Sequence, residues 1–182
     1  MVGTKIATLG FGIDAWRHHE SPRLRGKAIR TRALGYSAAL FLVPTVWGLV
    51  PDRGRYPRAL DLAVTAPLLA DAAGNALGVY DQAHVDDIVH GANAAVLSAV
   101  VGTLVRPHVR HAWHAAVVGG LVSIAGESLW EVMEYSAAAL GQDGMHLSYE
   151  DTIGDLAATL IGATVGAAWV LLQAGPRPDR DG

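Results

Sequence analysis

Cysteine is absent from this 182-residue sequence. No disulfide, thiolate metal site or cysteine nucleophile can therefore form. Positive charge is absent from long stretches as well. No Lys or Arg lies between Arg58 and Arg106, or between Arg110 and Arg177. The fourteen basic residues fall in the first 32 residues, in two short turns and at the C-terminus. Charged residues make up only 17% of the chain, and hydrophobic residues 51%. A soluble domain carries about 25% charge. Bases confined to turns and ends are the pattern of a multi-span membrane protein. No broad basic face interleaved with aromatics occurs, so nucleic acid is not an expected partner. No internal repeat or interdomain linker is visible, and no HExxH motif occurs. Gly10-Phe11-Gly12 lacks the third glycine and the preceding strand of a dinucleotide loop. Residues Ile6 to Ile13 are a short apolar run without a small-residue cleavage site, which does not read as a cleaved signal.

What the chain does contain is a series of apolar runs. They predict an all-α integral membrane protein, a bundle of about five transmembrane helices. The expected location is the cell's inner (plasma) membrane, with multiple passes. Residues 1–32 are expected as a basic tail, surface-lying or disordered, and 176–182 as a disordered C-terminal tail. The bundle occupies 33–175, with spans over 33–50, 59–79, 87–105, 112–140 and 150–172. Pro44 is expected to kink the first. Asp61 closely follows Arg58 and reads as its interfacial partner. With five spans the bases split evenly between the two faces, so orientation stays open. The short basic turns favour a cytoplasmic C-terminus, and a partial re-entrant pass within residues 1–32 would remove the conflict with the basic tail.

Ionisable residues inside these spans are costly and mark function. Asp151 and Asp155 head the last span, four residues apart on one helix face. Three other spans carry the same kind of face: Asp71, Asn75 and Gly78; Asp86, His90 and Asn93; Glu127, Glu131 and Glu134. At 1.5 Å per residue, His90 and Glu127 both lie roughly 22 Å from the basic turns. Four faces at one depth predict a single acidic, hydrated pocket near the acidic loops. The spacings Gly74–Gly78 and Gly162–Gly166 suit close helix approach.

Clustered carboxylates in a low-dielectric layer need compensating charge. The spans themselves supply no Lys or Arg. The candidates are a divalent metal, a cationic substrate, or protons. One histidine among carboxylates suits Zn, Mn or Mg. His90, Asp151 and Asp155 are the expected metal ligands, and Glu131 and Asp155 the catalytic acids or bases. Asp71, Asn75, Asp86, Glu127 and Glu134 are the expected binding residues. His108, His111 and His114 lie at the opposite, basic face and read as interfacial.

The order of these motifs resembles the VanZ-like membrane proteins, and more closely their YjdF-type inner-membrane relatives. The resemblance rests on Asp71-Ala72-Ala73-Gly74-Asn75 with Gly78 and Tyr80, then Asp86-Asp87-Ile88-Val89-His90-Gly91. It continues through Glu127-Ser128-Leu129-Trp130-Glu131-Val132-Met133-Glu134 and Asp151-Thr152-Ile153-Gly154-Asp155-Leu156. Thr159 stands where those proteins often have Asn, and Asp87 where they often have a base. The resemblance implies a small bacterial integral membrane protein, linked in the VanZ-like case to glycopeptide (teicoplanin) resistance.

Three functions fit these residues. One is a metal-dependent enzyme acting on a lipid-linked or amphiphilic substrate. Another is a cation- or proton-coupled transporter, where a homodimer would complete the pathway. The third is a non-catalytic envelope protein. The lipid bilayer is the expected partner in each.

Overall fold

A computed structural model describes residues 1–25, 29–49, 51, 54–79, 84–141 and 148–173. The expectations for Tyr80, for residues 142–147 and for the tail 176–182 lie outside these residues. Among the described residues the elements are α1 (Val2–Arg17), α2 (Ile29–Ala39), α3 (Leu42–Leu49), α4 (Arg58–Leu77), α5 (Val85–Val105), α6 (Ala112–Ala139) and α7 (Tyr149–Gln173), with a 3-10 turn at Arg106–His108. The described fold is thus all helical, as the apolar runs predict. Among the described residues, three helices are long and apolar enough to cross a membrane: Val85–His108, Ala112–Ala139 and Tyr149–Gln173. That is fewer than the expected number of spans. The 20-residue α4 carries Arg58, Asp61 and Asp71 and is not among them.

The core is the trio α5, α6 and α7, with α5 packed on both of the others. Without a hydrophobic drive inside lipid, helices associate through small residues and interhelical hydrogen bonds. Both devices are present. Ser98 Oγ donates to Ala163 O of α7 at 2.9 Å, and Ser123 Oγ donates to Ala94 O of α5 at 2.8 Å. Both serines are fully buried. At the α5–α7 crossing, a Cβ added at Gly162 would lie 1.9 Å from Gly91 O, and one at Gly166 would lie 2.3 Å from Ala95 O. Gly162→Ala is therefore expected to force the two backbones apart, at about 1–3 kcal/mol for overpacking. A lower thermal midpoint of the purified protein in detergent would record it, and an unchanged midpoint would rule out this crossing. The other predicted small-residue pair behaves differently. Gly78 adopts φ 69° and closes α4 in the left-handed conformation that glycine tolerates.

The first apolar run is two helices rather than one kinked span. The break falls at Leu40–Phe41, and Pro44 lies in the first turn of α3. Proline has no N–H to give to the carbonyl four residues back. That carbonyl belongs to Leu40, and it accepts a hydrogen bond of 2.7 Å from Lys5 Nζ instead. The same ammonium stands 2.8 Å from Asp61 Oδ1. Asp61 is thus paired with Lys5 of α1, not with Arg58. Residues 2–17 form a helix packed on α2 and α4. Much of the stretch expected as a surface-lying or disordered tail is therefore part of the bundle.

Candidate functional site

Four helices bring their polar faces together at one end of the bundle. His90, on the second turn of α5, is the centre. Its Nε2 lies 3.8 Å from Asp86 Oδ1, 3.9 Å from Glu131 Oε1 of α6 and 3.9 Å from Asp155 Oδ1 of α7. On the other edge of the ring, Nδ1 lies 3.1 Å from Glu127 Oε2, without the alignment of a full hydrogen bond. His90, Glu131 and Asp155 are all buried, at 8%, 8% and 4% exposure. Asp155 Oδ1 and Glu131 Oε1 have no hydrogen-bond partner. Thr159, one turn deeper on α7, is buried with its hydroxyl likewise unpartnered.

The local reasons are simple. On α5 and α6, a helical repeat of three or four residues stacks Asp86 beneath His90, and Glu127, Glu131 and Glu134 along one face. The α5–α7 contact at Gly91 and Gly162 then sets Asp155 opposite His90, since these glycines lie one residue after His90 and two turns after Asp155. Asp86, His90 and Asp155 each offer a ligand atom, all within 4.8 Å of one another. Among the described residues they form the one group of that kind. A metal needs each donor at about 2.0–2.2 Å, so small side-chain movements would close this set.

A second part of the layer adjoins the first through α6. Arg32 of α2 reaches Glu134 Oε1 at 2.6 Å and Asp71 Oδ2 at 3.5 Å. Asn75 Nδ2 donates to Asp71 O at 3.0 Å and to Asp71 Oδ1 at 3.2 Å. Nearby, Tyr36 of α2 stacks on Trp130 of α6 with centroids 6.4 Å apart. Asp71, Asn75 and Glu134 are thus gathered around an arginine rather than around His90. Sequence reasoning counted no base within the spans and missed Arg32. The available signal was its position, immediately before the first apolar run.

Asp151, expected as a ligand, lies outside the Asp86–His90–Asp155 group. It is exposed in the first turn of α7, where its backbone N–H donates to Ser148 Oγ at 3.0 Å. Ser148 thus acts as an N-cap, and an acid in the first turn suits the positive end of the helix. Asp86 takes the place beside His90 that Asp151 was expected to fill. Among the basic-face histidines, the rings of His111 and His114 meet at a tilt of 59° with centroids 5.5 Å apart, and His114 also packs on Trp113.

A family model described as "Predicted membrane protein (DUF2238)" matches residues 24–175. That match takes in Arg32 and every residue of the His90 layer. No curated protein and no solved structure matches the chain.

Proposed function

We propose, taking as premise that the chain belongs to the DUF2238 family of predicted membrane proteins, that its polar layer is a divalent-cation site serving metal-dependent chemistry on a lipid-linked or amphiphilic substrate. One observation carries this reading. His90 presents Nε2 to carboxylate oxygens from three helices at 3.8–3.9 Å, while Glu127 flanks its other nitrogen. A carboxylate behind a metal-binding histidine fixes which nitrogen is free to ligate. The unpartnered oxygens of Asp155 and Glu131 are buried acceptors that a cation would satisfy. Oxygen donors with one imidazole suit Mn, Mg or Zn.

His90, Asp86 and Asp155 would hold the cation, which on binding supplies Lewis acidity. Glu131, 3.9 Å from His90 Nε2, would be the residue able to take a proton from an attacking water. Divalent metal copurifying at about one ion per chain would support this reading. Metal-free protein whose stability ignores added Mn²⁺, Zn²⁺ and Mg²⁺ would sink it. Glu131→Gln is expected to keep the metal while removing turnover of a lipid-linked ester or phosphoester. Turnover retained in that variant would remove Glu131 from the chemistry.

The unpartnered acids also favour a second reading, cation- or proton-coupled transport. Flux in proteoliposomes that ignores Asp155→Asn would exclude it. A non-catalytic envelope role of the VanZ-like type is the third reading, and it requires that both assays be silent.

A further inference from the structure

We infer that α1 is a membrane-crossing helix whose outer face is covered by lipid acyl chains, so that α1 and the broken α2–α3 pair add a transmembrane hairpin ahead of α4. Four contacts fix how these helices run. Lys5 of α1 meets Leu40 at the end of α2, whereas a Cβ at Gly12 would touch that of Ala33, near the start of α2. Seven residues forward along α1 are therefore seven residues backward along α2, the register of an antiparallel hairpin. Against α4 the sense reverses. Lys5 pairs with Asp61 in the first turn of α4, and Arg23, just past α1, donates to Ala76 O in its last turn. α1 therefore lies parallel to α4 over nearly its whole length.

Dimensions and surface agree with this. The 16 residues of α1 extend roughly 24 Å, short of a hydrocarbon core of about 30 Å by a mismatch that local thinning of the bilayer takes up. Val2, Ile6, Ile13 and Trp16 are exposed on its outer side. Exposed leucines, valines and isoleucines line the outer faces of α5, α6 and α7 in the same way, so one apolar belt surrounds the bundle. The single base within α1 before its last turn, Lys5, is turned inward onto Asp61 and Leu40 O. In lipid a charge must be paired in this way.

The consequence is a topology. α1 crosses in one direction, α2–α3 returns, and α4 to α7 alternate. The N-terminus then lies on the same face as the Gly54 turn and the α5–α6 turn, and the His90 layer lies towards the opposite face. The five-span bundle with an external tail becomes one with an even number of crossings.

The chain has no cysteine, so single-cysteine labelling needs no background substitutions. Gly3→Cys, Glu20→Cys and Gly54→Cys place a thiol at an exposed position at each end of α1 and in the turn before α4. In sealed vesicles of one orientation, a membrane-impermeant maleimide is expected to separate Glu20→Cys from the other two. Labelling of Gly3→Cys and Glu20→Cys from the same side would overturn the inference. Spin labels at Gly10→Cys and Ile13→Cys give an independent reading through oxygen against nickel-chelate accessibility. Hydrocarbon depth at both supports a crossing helix, and headgroup depth at both contradicts it.

Discussion

His90→Ala is expected to abolish divalent-metal binding, and Glu127→Gln to weaken it about 10–100-fold. The difference follows from which ring edge each residue uses. Nε2 faces Asp86, Glu131 and Asp155, so removing the ring removes a donor and the centre of the set. Glu127 touches only Nδ1, at 3.1 Å, so its amide leaves every proposed ligand in place and changes the orientation and basicity of the ring. Asp155→Asn should resemble His90→Ala, because it removes one of the three groups able to share an ion. Asp151→Asn should bind metal nearly as the unmodified protein does, since Asp151 lies outside that group. Equilibrium dialysis against Mn²⁺ gives all four affinities. Ligand-linked stabilisation supplies a second readout, about 2.7 kcal/mol at a metal concentration 100-fold above Kd. Equal affinities for His90→Ala and the unmodified protein would place the metal elsewhere.

Lys5→Met is expected to cost about 3 kcal/mol, the lower end of the range for breaking a buried ion pair. Asp61 is 1% exposed and faces Lys5 at 2.8 Å, so losing the ammonium strands a carboxylate inside the bundle. Lys5 is 20% exposed, so the pair is not fully dry, which is why the lower end applies. Lys5 has a second task that methionine cannot perform. It donates to Leu40 O, the acceptor left without its helical partner by Pro44. The converse change, Asp61→Leu, should cost less. Lys5 is 20% exposed and keeps its bond to Leu40 O, so its head can move towards the membrane surface. The double change Lys5→Met with Asp61→Leu should recover most of the loss, because buried pairs are often replaceable by well-packed apolar groups. Thermal unfolding of the four proteins in one detergent forms the test cycle. Lys5→Met at the unmodified midpoint would mean that α1 is not seated on α4.

These contacts show how far the sequence could be read. The polar layer was legible because an acid or histidine in an apolar run stands out, and helical spacing puts its neighbours on the same face. His90, Glu131 and Asp155 converge for that reason. The partition of the layer was not legible. Asp71, Asn75 and Glu134 turn towards Arg32, which lies outside the expected spans, and only the path of the chain brings that arginine back. Asp151 and Asp155 looked equivalent by spacing. The α7 cap at Ser148 separates them, leaving Asp151 in the exposed first turn and Asp155 buried one turn deeper. The bases of residues 1–32 mark the stretch as a tail by charge, although its apolar residues outnumber them. Lys5 is in fact used inside the bundle, on Asp61, and Arg23 is paired at its surface, on Asp14. Pro44 inside an apolar run predicts a kink at that residue, whereas the helix breaks earlier and restarts with Pro44 in its first turn.

Electron spin-echo modulation of protein loaded with one equivalent of Mn²⁺ tests the metal site most directly, because it counts nitrogen ligands at the ion. A single imidazole nitrogen is predicted, lost in His90→Ala and kept in His108→Ala and His114→Ala. Bound Mn²⁺ with no nitrogen modulation, or with modulation that survives His90→Ala, would contradict it.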